Sequence, residues 1–151
     1  MSALDTLVSP PFASDPPVKV NLDAKVVGLV VAILAGLGAL FSLLGLLGLL
    51  GAAAALSTFG GIYLLALLGV LVNLVADVMA TIGGWRMYQG NENGKRLAIY
   101  GLAIAFIAEI IQMIGFASAS AIVPLILLAL LYYAVVVSRY PSQAPSASRD
   151  V

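Results

Sequence analysis

Four polar side chains lie inside stretches of chain that are otherwise apolar: Asn73, Asp77, Glu109 and Gln112. Two are carboxylic acids, and two are amides that both donate and accept hydrogen bonds. A carboxylate in hydrocarbon costs roughly 2.5–3.5 kcal/mol on insertion scales. No Lys or Arg falls in the same stretches to neutralise it. Two kinds of chemistry suit such residues. They clasp one helix to another through hydrogen bonds, or they hold a proton or cation on a transport path. Asn73 and Asp77 are i, i+4, and Glu109 and Gln112 are i, i+3, so each pair shares a helix face. Asn73 stands as far before Arg86 as Glu109 stands after Arg96. Both therefore lie about 20 Å along a helix from that basic segment, with Asp77 about one turn closer. The four are expected to meet in one seam, as a clasp or as a proton or ion site.

The elements that would carry them repeat small residues. Ala66, Gly69, Asn73, Asp77, Ala80 and Gly84 recur every three or four positions. So do Ala98, Gly101, Ala105, Ala108, Gln112, Gly115 and Ala119. Each set fits one narrow helix face, and small faces let backbones approach closely in lipid. A further run, Gly28-x-x-x-Ala32-x-x-x-Gly36, continues through Gly38-x-x-x-Ser42 to Gly45, Gly48 and Gly51. It is suited either to packing within the chain or to docking against another copy or subunit.

Composition sets the solvent for these helices. Of the 151 residues, 62% are apolar and 9% charged, with seven Lys/Arg balancing seven Asp/Glu. A soluble domain of this length needs a polar skin that such a composition does not supply. The stretch 26–76 has no charge and would be about 76 Å long as one helix, more than two hydrocarbon thicknesses, so it turns back once. The expected spans are about 26–51, 59–84, 97–117 and 121–138. The fold class is an all-α integral membrane protein, a four-transmembrane-helix antiparallel bundle over 24–139. Residues 1–23, with Pro10-Pro11 and Pro16-Pro17, and residues 140–151 are expected to be disordered cytoplasmic tails. The segment Trp85–Arg96, with Gly90 and Asn93-Gly94, is expected to be a tight polar loop.

All basic residues flank these spans at three places that four crossings put on one face, so both termini are expected in the cytoplasm. Trp85, Tyr88 and Tyr140 would mark the inner interface, Phe59 and Phe116 the outer one. Arg86, Lys95 and Arg96 are candidates for phospholipid headgroups. With no Cys and no His, thiolate chemistry, Cys/His zinc sites and His-ligated haem are ruled out within this chain. No catalytic constellation, metal set or cofactor is expected. The partners expected are the lipid bilayer and other membrane subunits or copies of the chain, with no nucleic acid.

A buried acid among four spans is similar to two families. Rotary-ATPase proteolipids carry their essential acid in the last span and small multidrug exporters carry theirs in the first. Here neither end span contains one, and membership of either family is not expected. The functional expectation is a non-enzymatic accessory or scaffold subunit of a larger complex in the cell membrane. The alternative is a small proton-linked transporter or ion-conducting oligomer built on Asp77 and Glu109.

Overall fold

Backbone polar groups in hydrocarbon have to be satisfied within the chain, and an open apolar segment achieves this only as a helix. The computed structural model describes residues 3–14, 16–17, 21–56, 58, 60–116 and 122–140, and the fold is all-helical. The order is α1 (Ala3–Val8), a single 3₁₀ turn at Pro11–Ala13, α2 (Ala24–Gly51), α3 (Ala53–Leu56), α4 (Gly61–Tyr88), α5 (Glu92–Phe116) and α6 (Ile122–Val137). Three stretches are long and apolar enough to cross a membrane: Ala24–Gly51, Gly61–Tyr88 and Glu92–Ile114. α6 has 16 residues and rises about 24 Å, short of a hydrocarbon core of about 30 Å. The expected four spans thus become three full-length helices and one shorter apolar helix.

Packing is inverted relative to a protein in water. The interior of α4 is lined by Ala66, Gly69, Val70, Ala76, Asp77, Ala80, Gly83, Gly84 and Met87. Large apolar side chains point outward, as with Phe41 and Ile114 at 68% exposure and Val123 at 72%. Aqueous solvent would penalise such a surface, and lipid does not. The protein is membrane-embedded.

α4 is the central helix, packed against α2 on one side and α5 on the other, while α6 packs mainly on α5. The contacts are backbone to backbone. A Cβ on Gly84 would sit 2.6 Å from Ala32 N and Gly28 O, and one on Gly101 would sit 2.5 Å from Ala80 N and 2.8 Å from Ala76 O. Opposed positions keep one antiparallel register along each pair. Gly83 faces Ala98 and Gly69 faces Gln112, while Gly28 faces Met87 and Gly38 faces Asp77.

The expected loop at Trp85–Arg96 is shorter than the sequence suggested. α4 runs on to Tyr88, Gly90 turns the chain at φ 84°, and α5 starts at Glu92. Gly90 N–H donates to Met87 O and Asn91 N–H to Arg86 O, both at 2.9 Å, closing α4 in a Schellman motif. The Asn91 side chain then accepts from Asn93 N–H at 3.0 Å and caps α5. These bonds satisfy the helix-end groups, so both helices continue to the turn. Gly94 therefore sits in the first turn of α5, where a Cβ would fall 2.7 Å from Gly83 O.

Residues at the basic end are tied together. Arg139 N–H donates to Leu22 O at 3.0 Å, and Ala24 N–H donates to Arg139 O at 2.9 Å, so α6 finishes beside the start of α2. Tyr140 Oη donates to Asn91 O at 3.1 Å. Part of the N-terminal segment expected to be disordered is placed on the same end. α1 lies on α5, Tyr132 Oη donates to Leu7 O at 2.7 Å, and Phe12 stacks on Tyr133 with centroids 5.8 Å apart. The opposite end is looser: among the described residues nothing lies within 4 Å of a Cβ placed on Gly45, Gly48 or Gly51, and Tyr63 Oη donates to Leu49 O at 3.1 Å across α2 and α4. The 141–151 part of the C-terminal tail, Lys19, Phe59 and Ala119 lie outside the described residues, as do the packing of Gly115 and the side chain of Phe116.

Candidate functional site

The four polar residues divide between two helix seams. Asp77 and Asn73, one turn apart on α4, turn toward α2. Ser42 Oγ donates to Asp77 Oδ2 at 3.0 Å, and Asn73 Nδ2 donates to Ser42 Oγ at 3.3 Å. Gly38, one turn before Ser42, makes room for the acid. A Cβ there would lie 3.0–3.2 Å from Asp77 Oδ2, Cγ and Oδ1. Gly38 and Ser42 together form a receptacle, a notch plus a hydroxyl, into which Asp77 fits at 7% exposure. Thr81 extends the strip by donating from Oγ1 to Asp77 O at 2.7 Å, the back-bond a helical threonine makes to its preceding turn.

Gln112 and Glu109 sit on α5. Gln112 lies against Gly69, with its Cγ 2.8 Å from where a Cβ would be, and its Nε2 is enclosed with no hydrogen-bond partner. Glu109 is partly buried and has no hydrogen-bond partner among the described residues. The expected four-way meeting is therefore two separate pairs. Asn73 and Asp77 are bonded across α2–α4, while Glu109 and Gln112 are left unbonded on α5. The strip Asn73–Asp77–Thr81 and the strip Gly69–Ala76–Ala80–Gly83 share one helix and serve different neighbours.

Of the packing candidates, Gly28 and Ala32 meet α4 at Gly84, Gly36 faces Thr81, Gly101 meets Ala80, and Ala105 is buried. The docking face Gly28–Gly36 is thus occupied within the chain. Among the headgroup candidates, Arg86 and Arg96 are exposed. Lys95 instead turns inward, donating from Nζ to Val136 O at 2.9 Å and Ser138 O at 2.8 Å, where it caps the last turn of α6. Beside it, burial and then the negative charge of Glu92 raise the Tyr140 phenol above its ordinary pKa. Among the described residues no group of three or more His, Cys, Asp or Glu could hold a metal ion.

The sequence places Gly38 and Ser42 on a packing or docking face and Lys95 among headgroup candidates, and it does not reveal that the first two receive Asp77 or that Lys95 caps α6. The i, i+4 pair Gly38/Ser42 was visible as a small face, and its hydroxyl in a charge-free helix was the signal for a partner. Comparison with protein-family models, curated proteins and solved structures finds no match to this chain.

Proposed function

We propose that the chain is a four-span membrane protein with both termini in the cytoplasm, acting as a non-enzymatic accessory or scaffold subunit of a larger membrane complex. The observation that carries this reading is the receptacle. The most deeply placed acid, Asp77, is held by Ser42 against α2, and Asn73 is bonded to the same hydroxyl. A group fixed between two helices in this way serves register and assembly. Four crossings are supported by the return of α6 to the basic end, where Arg139 pairs with Leu22 and Ala24. With Lys25, Arg86, Arg96 and Arg139 at that end, the positive-inside rule assigns it to the cytoplasm. Extraction in mild detergent and mass measurement test the subunit reading. A species heavier than one chain plus its detergent is expected, and a lone monomer overturns it.

One observation favours a second reading, a proton-linked transporter. Glu109 is partly buried with no hydrogen-bond partner among the described residues, and intramembrane acids often mark proton paths. Proton flux into liposomes that disappears in Asp77→Asn and Glu109→Gln would establish it.

A further inference from the structure

We propose that Glu109 is the docking point for a partner transmembrane helix that carries one Lys or Arg at matching depth. This deepens the subunit reading above and rests on it. Lys95, Leu102 and Glu109 follow one another at two-turn intervals and so occupy one strip of α5. At the basic end Lys95 is bonded to α6, and Leu102 is 2% exposed. Past Leu102 the cover ends. Phe106 is 38% exposed, and Glu109 is only partly buried.

α6 rises about 24 Å and reaches the level of Glu109, but it packs closely only at the basic end. α6 buries Val135, Val136 and Val137 in its last turn, whereas Ile122, Val123 and Ile126 are exposed. The side of α5 that bears Glu109 is therefore open away from the basic end.

Charge decides what closes it. An intramembrane acid pairs with a cation or with hydrogen-bond donors, and Glu109 has neither among the described residues. Among the described residues the cations Lys25, Arg86, Lys95, Arg96 and Arg139 all lie at the other end. Arg96 is about 20 Å away along the same helix. No described residue supplies the complementary group, and a transmembrane helix of another polypeptide would bring one to that depth. The enclosed Nε2 of Gln112, one turn along, is turned into the α4–α5 contact against Gly69 and is out of the visitor's reach, so Glu109 alone marks the docking point.

The test places the intact chain in a membrane with single-span poly-leucine helices. One carries a Lys about 20 Å from its cytoplasmic boundary, and the other carries none. Cross-linking is expected to recover the Lys helix about fivefold or more over the plain one. Glu109→Gln should abolish that preference and Asp77→Asn should keep it, because Asp77 is bonded internally. A charge swap guards against misfolding: Glu109→Lys should select a helix bearing Glu instead. Equal recovery of both helices overturns the proposal, as does a preference lost in Asp77→Asn but kept in Glu109→Gln. Proton uptake that requires Glu109 without any selection for the Lys helix overturns it too. A native chain that is monomeric in mild detergent yet selects the Lys helix overturns the subunit reading and supports the docking point.

Discussion

Asp77 shows how one acid is tolerated where hydrocarbon is the solvent. Its carboxyl is met by a hydroxyl from α2, and the missing side chain of Gly38 gives it space. Gly38→Ala puts a carbon 3.0–3.2 Å from three carboxyl atoms, so Asp77 has to give by a few tenths of an ångström, and the expected change is about 1 kcal/mol or less because the helix gains propensity. Ser42→Ala removes two interhelical bonds, one to Asp77 and one from Asn73, and at about 0.6 kcal/mol each should cost about 1 kcal/mol. Thermal denaturation in detergent would measure both changes, and a double-mutant cycle with Asp77→Asn would isolate the bond to Asp77. Tyr140 gives a pH signature. Its phenol is raised in the folded protein, so nothing changes below the ordinary tyrosine pKa of about 10. Above it the unfolded chain ionises first, and stability falls as pH rises. Tyr140→Phe should flatten that decline in melting curves recorded between pH 9 and 11, a window set by that ordinary value.

Helix α4 packs through glycine and alanine where its two neighbours approach. Gly101→Val should separate α4 from α5, because even a Cβ would enter the Ala76–Ala80 backbone. The expected cost is about 2 kcal/mol or more, read as a lowered melting temperature. Gly48→Ala, in open surroundings, should leave it unchanged. Lys95→Met withdraws a charged donor from two carbonyls of α6 and should cost about 1.5–3 kcal/mol. Release of α6 would appear as faster labelling of a cysteine placed at Val136. Much of this was legible in the chain. The three- and four-residue spacing marks the buried faces, and equal counts from Arg86 and Arg96 place Asn73 level with Glu109, in line with Gly69 facing Gln112. What spacing does not contain is which neighbour each strip meets. Gly69 and Asp77 are close on the helical wheel, yet one faces α5 and the other α2. The extent of the turn was hidden for a similar reason, because Asn93-Gly94 has turn composition but Asn91 and Gly90 make the caps.

For the whole molecule, the decisive contrast is between a closed basic end and a looser opposite end. Cysteines placed at Thr58 and at Glu92 should label from opposite faces of the membrane under four-span topology, and labelling from one face would refute it. The closed end depends on residues far apart in the chain, because Leu22 and Ala24 bond Arg139. The ribosome delivers Leu22 and Ala24 to the bilayer well before Arg139. α2 therefore enters the membrane with its amino end unfastened and stays so through synthesis of α4, α5 and α6. A chain stalled before Arg139 should present α2 to quality-control proteases, whereas a chain released a few residues beyond it should resist them.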